Sequence, residues 1–287
     1  MMTTMDVQNW VPYLIVLTCT AAILLLLGVR RRLLLDTVNL EPAASGMPIG
    51  NGQTIGAREE QDDYFASVTT AHGTAAVLAD GISGLAHGRM ASTLAVTVFI
   101  REFLKLEHIR EVQSFFVKAA KISNTEILRN LKGAPGGTTL VAAVIADDLL
   151  YWGAVGDSMI MVFRDDNFIR MNERHILESV LQERCLTGQI TREEAMEHPM
   201  KRRLINYLGY ENFKSIEIGS EPFKLQPGDR ILLCSDGVYN TMTEVELEQI
   251  LSKPISPHDA AEEIIEAIEQ KRLINQDNAT IVIVDNA

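Results

Sequence analysis

With 287 residues, 47% of them hydrophobic, the chain has material for one large packed domain or two small ones. Its 38 acidic against 26 basic residues leave a formal net charge of −12, which repels polyanions and argues against nucleic acid as a partner. The three cysteines, Cys19, Cys185 and Cys234, form no CxxC pair, and the histidines show no HExxH spacing; disulfide and zinc frameworks are disfavoured and a reducing compartment suits the chain.

After a short head at 1–10, residues 11–29 form an uncharged, largely apolar run, with Leu24, Leu25, Leu26 and Leu27 unbroken. That is long enough to cross a bilayer as a helix. Trp10 and Tyr13 lie near its start, Arg30, Arg31 and Arg32 follow it, and no Lys or Arg precedes it. The positive-inside rule then puts the N-terminus outside and the rest of the chain in the cytoplasm, as a single-pass protein of the cell membrane. A cleaved signal peptide would carry its basic residues ahead of the apolar run. Residues 30–55 read as a basic stop and a tether containing Pro42, Gly46, Pro48, Gly50 and Gly52, and residues 56–287 as a globular domain.

Within that domain, strands are expected over 63–68 and 74–79, joined by a tight turn near His72 and Gly73. Apolar residues at helical spacing predict helices over 88–106 and 112–131, the second stopped by the glycines and proline of 133–136. Strands follow over 138–145, 149–155 and 159–164, with Asp147 and Asp148 as a hairpin turn. Residues 172–210 are polar, charged and helical in pattern. A strand over 230–234, helices over 244–251 and 258–272, and a last strand over 279–284 complete the chain. Strands and helices are grouped rather than alternating, which favours packed antiparallel sheets with helices outside over a doubly wound parallel sheet.

Several aspartates stand where an apolar strand gives out. Residues 75–79 run into Asp80 and Gly81, residues 149–155 into Gly156 and Asp157, and residues 231–234 into Ser235, Asp236 and Gly237; Asp277 and Asn278 precede the last strand. An isolated Asp-Gly is most often a turn. Four aspartates in this order, each joined to a buried strand, place carboxylates at the rim of a sheet, where they repel unless a hard divalent cation sits among them. Glycines at these points let backbone carbonyls approach such an ion.

In order, Asp80-Gly81-Ile82-Ser83-Gly84, Gly136-Gly137-Thr138-Thr139-Leu140, Gly156-Asp157-Ser158, Ser235-Asp236-Gly237 and Asp277-Asn278-Ala279-Thr280 resemble the motifs of metal-dependent Ser/Thr protein phosphatases of the protein phosphatase 2C type. Arg58, followed by Glu59, Glu60, Gln61, Asp62 and Asp63, is similar to the N-terminal motif of that family, and residues 187–209 resemble the flap subdomain of its bacterial branch. The resemblance covers about residues 50–285. It implies an α+β fold, a four-layer α-β-β-α sandwich of two antiparallel sheets with flanking helices, here preceded by one transmembrane helix, with a flap at about 172–215. It also implies Mn²⁺ or Mg²⁺, two ions with a possible third. Asp80 would bridge both ions with the Gly81 carbonyl beside it, Asp236 and Asp277 would complete one, Asp62 and Asp63 would act largely through water, and Asp157 would hold the third. Arg58 would grip the phosphate with its fork of donors, and hydroxide bridging the metals would attack phosphorus in line.

Each assignment has a plainer counterpart: Asp277 as a turn cap, Asp62 and Asp63 as a solvated pair, Asp157 as structural, Arg58 as a surface arginine. The chain departs from the family pattern at Met159, where an arginine often follows Gly-Asp-Ser, and at Gln61, Ile82 and Ser83. The implied partners are proteins phosphorylated on Ser or Thr, with a membrane-associated Ser/Thr kinase or its substrates suggested by the anchor. The competing reading is a catalytically silent relative that binds a phosphoprotein or scaffolds a membrane complex; the presence of every expected carboxylate favours catalysis.

Overall fold

The computed structural model describes residues 46–82 and 87–286. The expected membrane helix over 11–29 and most of the expected tether lie outside them. Among the described residues no helix is long and apolar enough to cross a membrane.

Two antiparallel sheets form the centre. One runs in the order β1 (Ile49–Thr54), β11 (Ala279–Asp285), β10 (Arg230–Cys234), β6 (Met159–Arg164), β7 (Asn167–Arg170). The other runs β2 (Tyr64–Thr70), β3 (Gly73–Ala79), β4 (Leu140–Ala146), β5 (Leu149–Val155), β8 (Glu217–Ile218), with β9 (Phe223–Lys224) also on β5. The helices are α1 (Gly88–Phe103), α2 (Val112–Leu131), α3 (Leu177–Leu186), α4 (Arg192–Glu197), α5 (Asp236–Tyr239), α6 (Glu244–Leu251) and α7 (Pro257–Gln270).

Alternation along each strand builds the layers. In β3, Ala76 and Leu78 point between the sheets, while Ala75, Val77 and Ala79 face α1 and α2. In β10, Ile231 and Leu233 point between the sheets, and Leu232 and Cys234 face α6 and α7. Both faces of the central strands are thus buried, so they read as continuous apolar runs although the sheets are antiparallel. Phe99, Phe103 and Phe116 are fully buried under the second sheet; truncating one to Ala would cost about 3–5 kcal/mol.

The helices carry their own start and stop signals. In α7 the Ser256 hydroxyl accepts from the Asp259 N–H at 3.1 Å, Pro257 opens the first turn, and Ala260, Ala261, Ile264, Ile265 and Ile268 form the buried stripe. Thr243 and Glu246 form a capping box at α6. Helix α2 ends where Lys132 turns left-handed at φ 50°. Asp147 and Asp148, at φ 51° and 57°, make the two-residue hairpin turn expected of them.

The domain boundary moves. Residues 49–54, expected as the end of the tether, are strand β1, paired with β11 along its whole length. Its Asn51, Gly50 and Gly52 look like turn residues, but Gly50 is needed for close approach: a Cβ there would overlap the Pro257 backbone at the start of α7. Helix α1 ends at Phe103, three residues short of the expected end, and β4 begins at Leu140, two residues late. Thr138, expected in that strand, instead forms isolated bridges with Gly81 and Leu208. The 172–215 segment holds two short helices, α3 and α4, rather than a continuous one.

Candidate functional site

Antiparallel register brings the polar strand ends to one end of the sandwich. The start of β2 lies beside the end of β3 (Tyr64 opposite Ala79), and the start of β4 beside the end of β5 (Leu140 opposite Val155). In the facing sheet the end of β10 meets the starts of β6 and β11 (Cys234 opposite Met159 and Ile281). Asp62, Asp63, Asp80, Asp157, Asp236 and Asp277 flank these positions, so the fold gathers all six candidate aspartates.

Neutral side chains hold the frame. The Asp80 N–H donates to Thr139 Oγ1 at 3.1 Å, and the Asp80 carbonyl accepts from the Thr139 N–H and from Thr138 Oγ1, both at 2.8 Å. Ser235 Oγ donates to Asp63 Oδ2 at 2.8 Å while accepting from the Thr280 N–H at 3.0 Å, which ties the two sheets together. Asn278 Oδ1 accepts from the Asp62 N–H at 2.8 Å, and its amide donates to the carbonyls of Ile55 and Glu60 at 2.9 and 3.0 Å, pinning the loop that carries Arg58. Asp157 is fixed through its carbonyl, which accepts from the Tyr239 hydroxyl at 3.0 Å. Gly81 sits so close to α1 that a Cβ would lie 2.5 Å from the Gly88 carbonyl carbon.

The six aspartates divide by environment. Asp80 is partly exposed at the rim, and burial by the surrounding protein followed by repulsion from Asp63, Asp236, Asp157 and Asp277 pushes its carboxyl well above the ordinary range. Burial, with Asp277 adding repulsion, raises Asp63 to about 6 against the hydrogen bonds from Thr280 and Ser235. Burial, then Asp157 and Asp277, raises Asp236 to about 7. Burial also raises Asp157. Asp63 is only 3% exposed, so the adjacent pair is not uniformly solvated. Asp62 is less enclosed; burial raises its carboxyl, opposed by the hydrogen bond it accepts from the Arg89 N–H at the start of α1. Asp277 Oδ2 accepts from Arg58 Nη2 at 2.7 Å and its Oδ1 from the Asn278 N–H at 2.9 Å. Arg58 is half-exposed at the rim.

These residues fit a hard divalent cation. Asp63 Oδ1 is buried with no hydrogen-bond partner among the described residues, and a buried lone pair of that kind is costly unless something positive faces it. The mutual repulsion around Asp80 has the same remedy. Among the described residues no three His, Cys, Asp or Glu side chains close into a single metal cage. An open ring of carboxylates suits ions that keep part of their water shell.

One connection was not legible in the sequence. His175, at the entry to the 172–215 segment, exchanges two hydrogen bonds with Gly156: its N–H donates to the Gly156 carbonyl at 2.8 Å, and its Nδ1 accepts from the Gly156 N–H at 3.2 Å. Its carbonyl accepts from the Ile205 N–H at 2.9 Å, and its Nε2 lies 3.2 Å from Glu217. One histidine therefore joins both feet of this segment to the loop bearing Asp157. Next to it, the Arg174 guanidinium lies over the Tyr239 ring, 5.8 Å from the centroid. Arg174 draws the Asp157 carboxyl down against burial, a basic neighbour at a site whose Gly-Asp-Ser is followed by Met159. The supporting Thr138, Thr139, Ser235, Asn278 and Thr280 all fall inside the short motifs around the aspartates; the signal for them was the run of small polar residues beside each Asp.

Comparison with known proteins places the chain. A family model described as Protein phosphatase 2C matches residues 54–269. The serine/threonine phosphatase stp of Listeria innocua is 32% identical over 218 residues, covering 73% of this chain and 83% of that protein. The solved serine/threonine phosphatase of Streptococcus agalactiae superposes with a TM-score of 0.74 at 24% identity, covering 84% of this chain and all of the other. The catalytic domain of the serine/threonine phosphatase PstP, solved in complex with two manganese ions, superposes with a TM-score of 0.66 at 24% identity, over 83% of this chain and 97% of its own. These two likenesses bear on the fold, which is the same sandwich.

Proposed function

Because the chain belongs to the protein phosphatase 2C family and is a protein-serine/threonine phosphatase, we propose that the acidic end of its sandwich is the active site, where phosphate leaves phosphoserine and phosphothreonine of protein substrates. The observation that carries this is Asp80, its carboxyl raised by burial and then by the carboxylates gathered around it, beside a buried Asp63 oxygen with no hydrogen-bond partner among the described residues.

The family uses Mn²⁺ or Mg²⁺. In this chain Asp80 and the Gly81 carbonyl would hold two ions, Asp236 and Asp277 would complete one, Asp62 and Asp63 would act through water, and Asp157 would serve a third. Bound there, such ions neutralise phosphoryl oxygens and acidify water. The protein's own contribution is placement. Thr138 and Thr139 fix the Asp80 backbone, Ser235 aims Asp63, and Asn278 holds the Arg58 loop. Arg58 stands half-exposed at the rim, paired with Asp277, where its fork of donors would reach a phosphate. Burial of Asp63 and Ser235 lowers the local dielectric there and strengthens the hydrogen bond between them. Replacing Asp80 by Asn should lower turnover of a phosphothreonine peptide by roughly a hundredfold or more while the fold persists; wild-type turnover in that variant would remove the site from this end of the sandwich.

We also place the phosphatase at the cell membrane, with the N-terminus outside and the catalytic domain in the cytoplasm. The support is the apolar run at 11–29 and the three arginines after it. Anchoring raises the concentration of the site near membrane-bound partners, which favours phosphoproteins of a membrane-associated Ser/Thr kinase, or the kinase itself, as substrates. The full chain should sediment with membranes, resist a high-salt wash and be released by detergent. Recovery in the soluble fraction would refute the anchor.

A further inference from the structure

A cavity of about 460 Å³ opens beside the site and has no part in the chemistry above. Its walls are Leu128 and Leu131 at the end of α2, Ala134, Gly136, and the tyrosines Tyr207 and Tyr210 where the 172–215 segment returns. We propose that it seats an apolar, ring-bearing side chain of the phosphoprotein substrate, a few residues along the chain from the phosphorylated one. The proposal rests on the phosphatase reading and names a feature of the substrate that reading leaves open.

Three observations carry it. The first is continuity with the site. Gly136 borders the cavity, the Gly137 carbonyl next to it accepts from the Ile82 N–H at 3.0 Å, and Thr138 Oγ1 donates to the Asp80 carbonyl at 2.8 Å. One short backbone stretch thus separates the cavity from the Asp80 loop. A phosphoprotein cannot deliver its phosphate without laying neighbouring residues over this end of the domain, and an extended chain covers roughly 3.3–3.6 Å with each of them.

The second is wall chemistry. Tyr207 and Tyr210 stack nearly parallel, centroids 4.9 Å apart at 20°, and a ring added beside such a pair gains offset or edge contacts as well as burial. Leu128, Leu131 and Ala134 supply the apolar remainder. The volume is in the range of sites that enclose small ligands, roughly 300–1,000 Å³, ample for one aromatic side chain. Glu211 is the acidic group in the lining, which disfavours a substrate carboxylate at that position.

The third is the mechanical setting. The Thr138 bridge to Leu208 fastens the tyrosine-bearing return to the Gly136–Thr139 stretch. An occupant therefore touches a segment held in register with the Asp80 loop rather than a loose loop tip, and its binding energy can orient the phosphate.

The test uses the full chain in detergent with Mn²⁺. Phosphothreonine peptides with Ala on both sides are compared with a series in which a single Phe is walked outward from the phosphoresidue on each side. One position, or two adjacent ones, should raise kcat/KM roughly tenfold. Ala134→Trp, which fills the cavity, and Tyr210→Ala, which removes the stack, should each abolish the Phe/Ala preference; because the preference is a ratio within one variant, a general loss of activity cancels. No preferred position, or a preference that survives both substitutions, would overturn the proposal. Absence of turnover on every peptide, Phe-bearing or not, would instead overturn the phosphatase reading and this proposal with it.

Discussion

Replacing Asp236 by Asn should make the metal-free protein more stable and the metal-loaded protein less so. Asp236 stands at the start of α5, with Oδ2 accepting from Asn240 Nδ2 at 3.1 Å, a bond that an Asn carbonyl oxygen can keep. Its carboxyl is raised from an ordinary 3.8 to about 7, by burial first and then by Asp157 and Asp277. A folded pKa above the unfolded one means that the native state holds the proton more tightly. The metal-free chain therefore keeps that stability in full below pH 3.8 and loses it progressively as pH rises from 3.8 through 7. At 1.36 kcal/mol per pH unit the loss at pH 7.5 would reach about 4 kcal/mol; residual solvent contact reduces it to roughly 2 kcal/mol. A neutral Asn removes that loss, for a rise in Tm of about 4–8 °C. Thermal unfolding of the full chain in EDTA reads this directly at pH 7.5, and the gain should shrink at pH 5, where wild-type Asp236 is already protonated. Adding Mn²⁺ should reverse the order, since wild type gains about 2.7 kcal/mol at a hundred times its Kd and the variant gains less. A variant less stable than wild type in EDTA at pH 7.5, or a gain identical at both pH values, would refute the electrostatic account of the site.

Away from the site, Glu102 is held down to about 2 by hydrogen bonds from Lys105 and then Lys118. A depressed folded pKa gives stability that is present above 4.5 and lost as pH falls through 2. Because both lysines are more than half exposed, Glu102→Gln should cost about 1 kcal/mol at neutral pH, with the difference from wild type fading in acid urea titrations. Gly50→Ala should cost about 1–3 kcal/mol by overpacking β1 against α7, read as a lower urea midpoint at unchanged slope; a neutral effect would mean that β1 is not seated as described. His175→Ala removes the ring that accepts from the Gly156 N–H and faces Glu217 but keeps the backbone carbonyl that accepts from the Ile205 N–H, so it should expose the Gly156 amide, leave the core's hydrogen exchange unchanged and quicken limited proteolysis within 172–206. Equal protection of the Gly156 amide in variant and wild type would exclude the imidazole linkage.

The sequence carried the architecture well where both faces of a strand are buried. Runs such as 149–155, 159–164 and 230–234 match the observed strands end to end, because unbroken apolar stretches bounded by Gly, Asp or Arg leave little freedom in placing their limits. It failed at β1, whose glycines serve contact with α7, a partner more than two hundred residues away that no local pattern reveals. The short strands β7, β8 and β9 were equally hidden, since two to four paired residues leave no period to read.

For the site, the positions of the aspartates were legible from strand ends, whereas their inequality was not. Asp62 and Asp63 are neighbours in sequence, yet alternation along the backbone sends one carboxylate to the start of α1 and buries the other against Ser235. The His175 linkage depends on residues from three separate segments and had no sequence signal beyond a histidine in a polar stretch. The tyrosine-lined cavity likewise arises where the end of α2 meets the return of the 172–215 segment, and only the folded chain brings these together.

The most direct test of the central claim is hydrolysis of a phosphothreonine peptide by the full chain in detergent, with Mn²⁺, with Mg²⁺ and with EDTA. The account predicts turnover with either ion, none in EDTA, and recovery when the ion is restored. Turnover that persists unchanged in EDTA, or a folded, Mn²⁺-binding protein that releases no phosphate, would contradict the assignment of the acidic end as a metal-dependent phosphatase site.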